Sequence, residues 1–511
     1  MGCNCRSKKA LYITLAVGIL CIAAGGALLW GFAIFTKNTV ISDTTLVPGT
    51  TAYDTWLEPP VPLLMQYWVW DIQNPAEFLN GDKPILEQKG PYTYLEYRVK
   101  VNVTHFHDNG TVRFLNSKIY VFDLSQSVGP DTDTFHTANV PVFTIANLLR
   151  YSPGPVKNIQ KMIHAISGAT SVIEVSVADI LWGYEDDYLK LFDQLFPGLL
   201  PTTEFGLFQG SNNSADAVWE EYTGETGYEN TGQVISWDGM ELLPWWVTDY
   251  ANMINGSDGS VTPPFLETSD RVYFYVPDIC RSGYLTYEYA YKLLDIPVGR
   301  FTAPPYLYAD AEEYPDNAGF CTPDGTSCPP TGLLNASECQ FGAPVYYSSP
   351  HFLYGTQSLL DGVIGMNPVK EEHMVYFDIQ MLTGIIMEVA NRLQVNLFVE
   401  PFEWVDDTIL ITPTYLPMLW LNESSSIDQP SADFFIGSIL TPLLIARIMI
   451  LILLAVGGGL VLGVITTCIC WRCQDKHKSC YPRIAPQQID DEVALTREEQ
   501  NKSQEMKEVT T

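Results

Sequence analysis

The sequence predicts an α+β outer domain, with strands outnumbering helices, held between two membrane-spanning helices. Three observations carry that expectation. Residues 10–36 and 448–471 contain no Asp, Glu, Lys or Arg. The stretch between them holds short alternating segments bounded by turn residues, and one region, residues 142–196, in which helical periodicity dominates.

The two uncharged runs are long enough to cross a bilayer. At about 1.5 Å per helical residue, roughly 20 residues span a hydrocarbon core of about 30 Å, where only a helix satisfies its own backbone groups. The first run contains Gly18, Gly25, Gly26 and Gly31, the second Gly457, Gly458 and Gly459. A secretory leader has an apolar region of only about 7 to 15 residues before a small-residue cleavage site. Here the run is longer, ends in Trp30, Phe32 and Phe35 and lacks an A-x-A site, which reads as an uncleaved anchor. Arg6, Lys8 and Lys9 precede the first run, and Arg472, Lys476, Lys478 and Arg483 follow the second. By the positive-inside rule both termini are cytosolic. The expected layout is a cytosolic start (1–9), a span (10–36), an extracellular or lumenal domain (37–447), a span (448–471) and a cytosolic tail (472–511).

The middle region is large enough for one substantial core, and no Ser/Gly-rich or Pro-rich linker divides it. A formal charge of −31 excludes general nucleic-acid binding and opposes tight adhesion of the whole domain to an anionic membrane. The cysteines divide by compartment. Cys280, Cys321, Cys328 and Cys339 are the four in the outer region, and an even number in an oxidising space reads as two disulfides with three possible pairings. Cys3, Cys5, Cys468, Cys470 and Cys473 lie beside the membrane, a depth that suits palmitoylation. A zinc site built from the last three with His477 and Cys480 matches no standard finger spacing. Gly2 does not signal myristoylation, because Arg6 stands where Ser or Thr is needed. Asn102, Asn109, Asn212, Asn255, Asn335 and Asn422 begin N-x-S/T sequons in the outer region, as expected of a glycosylated ectodomain.

Residues 67–72 alternate as a strand before Asn74-Pro75 ends it. Residues 92–103 and 111–123 flank Asp108-Asn109-Gly110 and predict a β-hairpin. Further strands are expected at 271–276 and 408–412. Within the helical region, residues 134–173 contain no acid but include Arg150, Lys157, Lys161 and His164. Pro155 suits a first helical position. On a 3.6-residue period Lys157, Lys161 and His164 share one face, with Ile159, Met162, Ile163 and Ile166 opposite. This is either a solvated face over a core stripe or an electropositive ligand surface, with His164 able to respond to acidification.

No H-E-x-x-H, G-x-S-x-G, G-x-x-x-x-G-K-[ST] or G-x-G-x-x-G motif is present, so no enzymatic activity and no cofactor is expected. His105 and His107 read as a surface strand, and Asp131 and Asp133 start no complete calcium loop. No metal site is expected.

The chain resembles the class B scavenger receptors, the family of fatty acid translocase and lysosomal integral membrane protein two. The resemblance is carried by WDIQNPAEFLNGDKPILEQKGPYTY (70–94), LWGY (181–184), MINGSDG (253–259), PPF (263–265) and DICRS (278–282). It continues in PHFLYG (350–355), GMNP (365–368), RLQVN (392–396) and PMLWLNE (417–423). It implies an antiparallel β-barrel-like core, a helical bundle at the membrane-distal apex bearing Arg150, Lys157, Lys161 and His164, and a hydrophobic tunnel toward the bilayer. It also implies a non-enzymatic receptor for lipoproteins and lipids, such as fatty acids, cholesterol or its esters, at the plasma membrane or the endosome-lysosome membrane. A sorting receptor that binds a lumenal protein and releases it with pH is the alternative. The cysteine pair of a third disulfide found in some members is absent, near Ala251 and Gly319, and the simplest assignment is Cys280 with Cys339 and Cys321 with Cys328. Lysines that fatty acid translocase carries late in these helices fall here near Ile166 and Gly168. In the tail, DEVALT places Thr496 where an acidic dileucine signal needs Leu or Ile, whereas Tyr481 and Ile484 fit a tyrosine-based endocytic signal. A channel subunit fits less well, because neither span carries an ionisable residue.

Overall fold

The computed structural model describes residues 5–198 and 202–479, which form two compact units. The first is a pair of helices, drawn from residues up to Thr36 and from Ile439 onward. Both helices outrun their uncharged cores: one runs Cys5–Thr44 and the other Thr441–Ser479, and both are long and apolar enough to cross a membrane. They approach closely at glycines. A Cβ on Gly18 would lie 2.9 Å from Val461 Cγ2, and one on Gly25 2.6 Å from Leu454 Cδ2. Small residues let backbones pack without the hydrophobic effect, which is absent between helices in lipid.

The second unit, Lys37–Ser438, is built on a 13-stranded antiparallel sheet. Along the sheet the order is Arg271–Val276, Arg281–Leu293, Ile296–Thr302, Tyr376–Gln380, Ile385–Val399 and Thr414–Ser426, then Leu63–Ile72, Leu86–Phe106, Thr111–Phe122, Ser214–Tyr222 and Val234–Trp237. Two short strands, Leu334–Asn335 and Val345–Ser348, join it beside Ile385–Val399. The predicted hairpin is present, longer than expected, with Tyr94 opposite Phe122 and Phe106 opposite Thr111.

The sheet is nearly a closed barrel, and one short segment joins its two edges. Gly256 accepts a hydrogen bond from the Val234 N–H at 2.8 Å, on the last strand. Ser257 donates to Tyr273 O at 3.3 Å and accepts from the Tyr275 N–H at 2.9 Å, on the first. Edge strands otherwise present unpaired backbone groups, so this seam satisfies groups on both. Gly256 takes φ +82°, and a Cβ there would lie 2.0 Å from the backbone of Tyr273.

The helical insertion holds the helices Val140–Leu148, Gly154–Ser167, Val177–Trp182 and Asp187–Leu195, and it also contains a strand the periodicity missed: Val172–Ser176 pairs with Thr134–Ala138. The expected strand at 408–412 is not formed. Asp406–Thr408 is a 3₁₀ turn, in which the Thr408 hydroxyl accepts from the Phe402 N–H at 2.9 Å and donates to Val405 O at 2.8 Å. A β-branched residue whose hydroxyl closes a turn locally gives no strand, and the strand begins later, at Thr414.

The four outer cysteines are bridged Cys280 to Cys339 and Cys321 to Cys328. The PHFLYG segment is a tight turn in which His351, Phe352 and Tyr354 all take positive φ. Its His351 ring stacks on His373 at 4.2 Å and meets the Trp70 ring edge-on at 4.9 Å. His351 Nδ1 accepts from the Asn367 N–H at 3.0 Å, so Nε2 carries the proton and donates to Gln88 Oε1 at 2.8 Å. His373 Nδ1 accepts from the Val369 N–H at 2.9 Å. Burial and the neighbouring His373 push His351 down to about 3, and burial with Arg392 pushes His373 down to about 4.

Two outcomes follow from this architecture. Gly256→Ala is expected to lower stability by roughly 3 kcal/mol or more, because backbone must move. Gly259→Ala, at φ +86° with nothing within 4 Å, is expected to cost only about 1 kcal/mol. Thermal melts of the detergent-purified chain distinguish them. The histidine pair predicts a pH slope. The unfolded chain takes up protons below about pH 6.5 that the native rings refuse, so stability falls as the pH drops from there toward 4, by about 1.4 kcal/mol per pH unit per ring. His373→Gln keeps an acceptor for the Val369 N–H and is expected to remove about half of that slope.

Candidate functional site

Two of the cavities in the outer unit share part of their lining. One, of about 640 Å³, is lined by Tyr120, Phe208, Trp237, Trp245, Leu393 and Leu421 among others. The second, of about 360 Å³, is bounded by residues 59–61, Leu63, Ile386, Val389 and residues 425–428. Arg98, Asn116, Lys118, Val276, Asn391 and Glu423 line both, and this shared stretch of lining is the waist.

Strand alternation puts charge at that waist. In Leu86–Phe106 the side chains of Tyr94, Glu96, Arg98 and Lys100 share one face by the two-residue period. Across the pair, Glu96 faces Tyr120, Arg98 faces Lys118 and Lys100 faces Asn116. Arg98 donates to Glu96 Oε1 through Nε at 2.9 Å and to Glu423 Oε1 through Nη2 at 2.6 Å. Asn391 donates to the other Glu423 oxygen at 3.3 Å. Glu96 is fully buried, and among the described residues its Oε2 has no hydrogen-bond partner. Burial therefore pushes the Glu96 carboxyl up despite Arg98. Burial also works against ionised Glu423, but Arg98 and Lys118 outweigh it and hold that carboxyl low.

A second buried charge group lies one pleat further along. Lys100 pairs with Asp258 at 2.9 Å, with both side chains 2% exposed. Lys100 also sits over the Trp56 and Phe114 rings, at 5.0 and 5.2 Å. Burial raises the carboxyl of neighbouring Glu221 well above its usual range. Asp258 stays low in spite of burial, because Lys100 and Ser260 stabilise its charge. Asp258 directly follows the barrel seam, so this ion pair ties the seam to strand Leu86–Phe106.

The basic face read from the sequence is paired within the chain. Arg150 bonds Glu400, Lys161 bonds Asp406 at 2.5 Å, and His164 Nε2 lies 3.1 Å from Asp407 Oδ1. Lys157 lies over the Trp404 ring at 4.2 Å. All four partners come from residues 400–407, distant in sequence. The expected apolar face is also corrected. Helix Gly154–Ser167 buries Gln160 and Ile163 and packs Val156 and Ile159 on the core, while Met162 and Ile166 are exposed. Gln160 is buried because it donates to Tyr188 OH at 2.8 Å and accepts from Trp404 Nε1 at 2.6 Å.

The remaining expected sites fall as follows. Asn102, Asn109 and Asn212 are exposed, Asn255 and Asn335 are partly exposed, and Asn422 is buried, with its amide donating to Gln66 at 3.4 Å. Cys468, Cys470 and Cys473 are exposed on the second long helix. Cys5 opens the first long helix. Cys3, Tyr481 and Ile484 lie outside the described residues. Glu96, Arg98, Lys100 and Glu423 were missed by sequence reasoning. The available signal was the run LEYRVK, in which charges recur every second residue in a strand whose register places them inward with Tyr94.

A near-closed antiparallel barrel with a charged internal waist, in a chain with two long apolar helices, defines the class: a two-anchor membrane protein with a cavity-bearing outer domain. The chain belongs to the CD36 family, whose sequence profile matches residues 16–468. It is 32% identical over 463 residues to rat (Rattus norvegicus) scavenger receptor class B member 1, covering 90% of each chain. It is 37% identical over 419 residues to human (Homo sapiens) lysosome membrane protein 2, covering 81% of this chain and 85% of that one. Membership supports a membrane scavenger-receptor role.

The pairing of the basic helix makes a measurable prediction. Glu400→Gln with Asp406→Asn leaves Arg150 and Lys161 uncompensated. Near an anionic surface each cation is worth about 1 kcal/mol, so the double variant in nanodiscs is expected to bind phosphatidylserine vesicles roughly 30-fold more tightly, a gain lost at high salt.

Proposed function

We propose that this protein is a non-enzymatic receptor that takes lipids, such as fatty acids, cholesterol or its esters delivered by lipoproteins, into its outer domain and passes them to the bilayer. The observation that carries this reading is the pair of cavities sharing one waist. The smaller is bordered by residues 59–61, Leu63 and residues 425–428. A lipid leaving a lipoprotein must stay out of water, since each exposed CH₂ costs about 0.8 kcal/mol, and a continuous passage lined by the protein removes that cost. In this reading residues 10–36 and 448–471 are the spans and both termini are cytosolic. The outer domain carries glycans on exposed sequons, and the cysteines next to the membrane carry acyl chains. Residence is the plasma membrane, the endosome-lysosome membrane or both.

The contact of His164 with Asp407 favours a second reading, in which the helical insertion binds a lumenal protein partner and releases it with pH. Pull-down at neutral and acidic pH tests it, and recovery of no partner at either pH ends it.

For the lipid reading, mass spectrometry of the purified chain is expected to find co-purifying lipid. Cells expressing it are expected to take up labelled fatty acid or cholesteryl ester. Val276→Trp places an indole at the waist and is expected to cut uptake roughly tenfold, equivalent to about 1.4 kcal/mol, at unchanged surface level. Uptake equal to the parent chain, with no bound lipid in either, would refute the conduit.

A further inference from the structure

A conduit for alkyl chains has no evident use for an ion pair on its wall. Buried ion pairs add little net stability compared with apolar residues of equal volume, so stability alone does not explain the waist. Its geometry is specific. Arg98 on strand Leu86–Phe106 reaches Glu423 on strand Thr414–Ser426, across the intervening strand Leu63–Ile72. Arg98 spends Nε and Nη2 on Glu96 and Glu423, while among the described residues its Nη1 makes no hydrogen bond. Its side chain remains 15% exposed and lines both cavities. A lipid moving from one cavity to the other passes this guanidinium at close range.

Two kinds of lipid meet it differently. A hydrocarbon chain with no polar head displaces water from Arg98 and Glu423 and returns no hydrogen bond, and unmet hydrogen-bonding groups in an interior are expensive. A chain ending in a carboxylate or hydroxyl oxygen supplies an acceptor for Nη1, and the planar fork of a guanidinium suits such an oxygen. Sites built to hydrogen-bond a ligand oxygen reject analogues lacking it far more strongly than apolar pockets discriminate size.

We propose that the Glu96–Arg98–Glu423 belt is the specificity filter of the passage. It admits amphiphiles whose head oxygen can bond Arg98, and it holds back hydrocarbon-like lipids. This rests on the lipid-transfer reading and adds to it the chemical class that passes.

The test uses the full chain in proteoliposomes and three probes with one chain length, palmitate, 1-hexadecanol and hexadecane, presented in the same donor micelles and corrected for protein-free transfer. The expected result is that palmitate and hexadecanol transfer roughly 100-fold faster than hexadecane. The Glu96→Gln/Arg98→Met/Glu423→Gln variant removes the guanidinium together with the two carboxylates it bonds, and is expected to bring the ratio to about tenfold or less. Arg98→Lys keeps the charge but loses the fork, and is expected to lower the ratio part of the way. It also decides the matter should the triple variant fail to fold. An unchanged ratio in a folded variant overturns the filter while leaving lipid transfer intact. A parent chain that transfers none of the three probes overturns the transfer reading and the filter with it.

Discussion

The structure depends on closing a long antiparallel sheet on itself, and that closure passes through two residues. Gly256 and Ser257 bond the last strand on one side and the first on the other. The contact is possible only because position 256 has no side chain to drive into Tyr273. The next residue, Asp258, is bound to Lys100 on strand Leu86–Phe106. A backbone seam and a buried ion pair thus hold the same corner. Without them two sheet edges would stand open and the interior would be a groove.

A closed wall explains how charge survives inside. Lys100, Asp258 and Glu221 are shielded from water, yet the Asp258 carboxyl is held low because Lys100 lies 2.9 Å away, and the Glu221 carboxyl is pushed up by burial. At the waist the arrangement is more open. Arg98 is shared between two carboxylates and borders both cavities, so its environment changes with whatever occupies them. Interior charges of this kind occupy the same pleat positions as Tyr94 and Tyr120, whose rings form apolar wall nearby. The lining shared by the two cavities is therefore amphipathic.

The helical insertion shows how tertiary context changes the meaning of a charge pattern. The stretch 134–173 is free of acids, and taken alone it would present a cationic face. Residues 400–407 lay Glu400, Asp406, Asp407 and the Trp404 ring against it. Trp404 of the same loop and Tyr188 of helix Asp187–Leu195 hold Gln160 in the interior, and Met162 and Ile166 are left exposed. Amphipathic periodicity identifies a helix. Which residues are covered depends on what packs against it, and here a buried amide outcompeted two aliphatic side chains because its hydrogen bonds were available.

Much was legible from the chain alone. The two anchors follow from uncharged length, because hydrocarbon imposes a constraint that is local in sequence. The hairpin around Asn109-Gly110, the strand at 271–276 and the helical character of the insertion follow from short-range periodicity and turn chemistry. The class B scavenger-receptor resemblance was visible in long contiguous motifs. Tertiary structure decided the seam, the waist and the pairing of the basic helix. Each joins residues far apart in sequence: Val234 to Gly256 to Tyr273, Arg98 to Glu423, Lys161 to Asp406. Local rules specify which way a side chain points from its own strand or helix, whereas the partner it meets is set by the register of another strand or the path of another loop, and no local pattern encodes that.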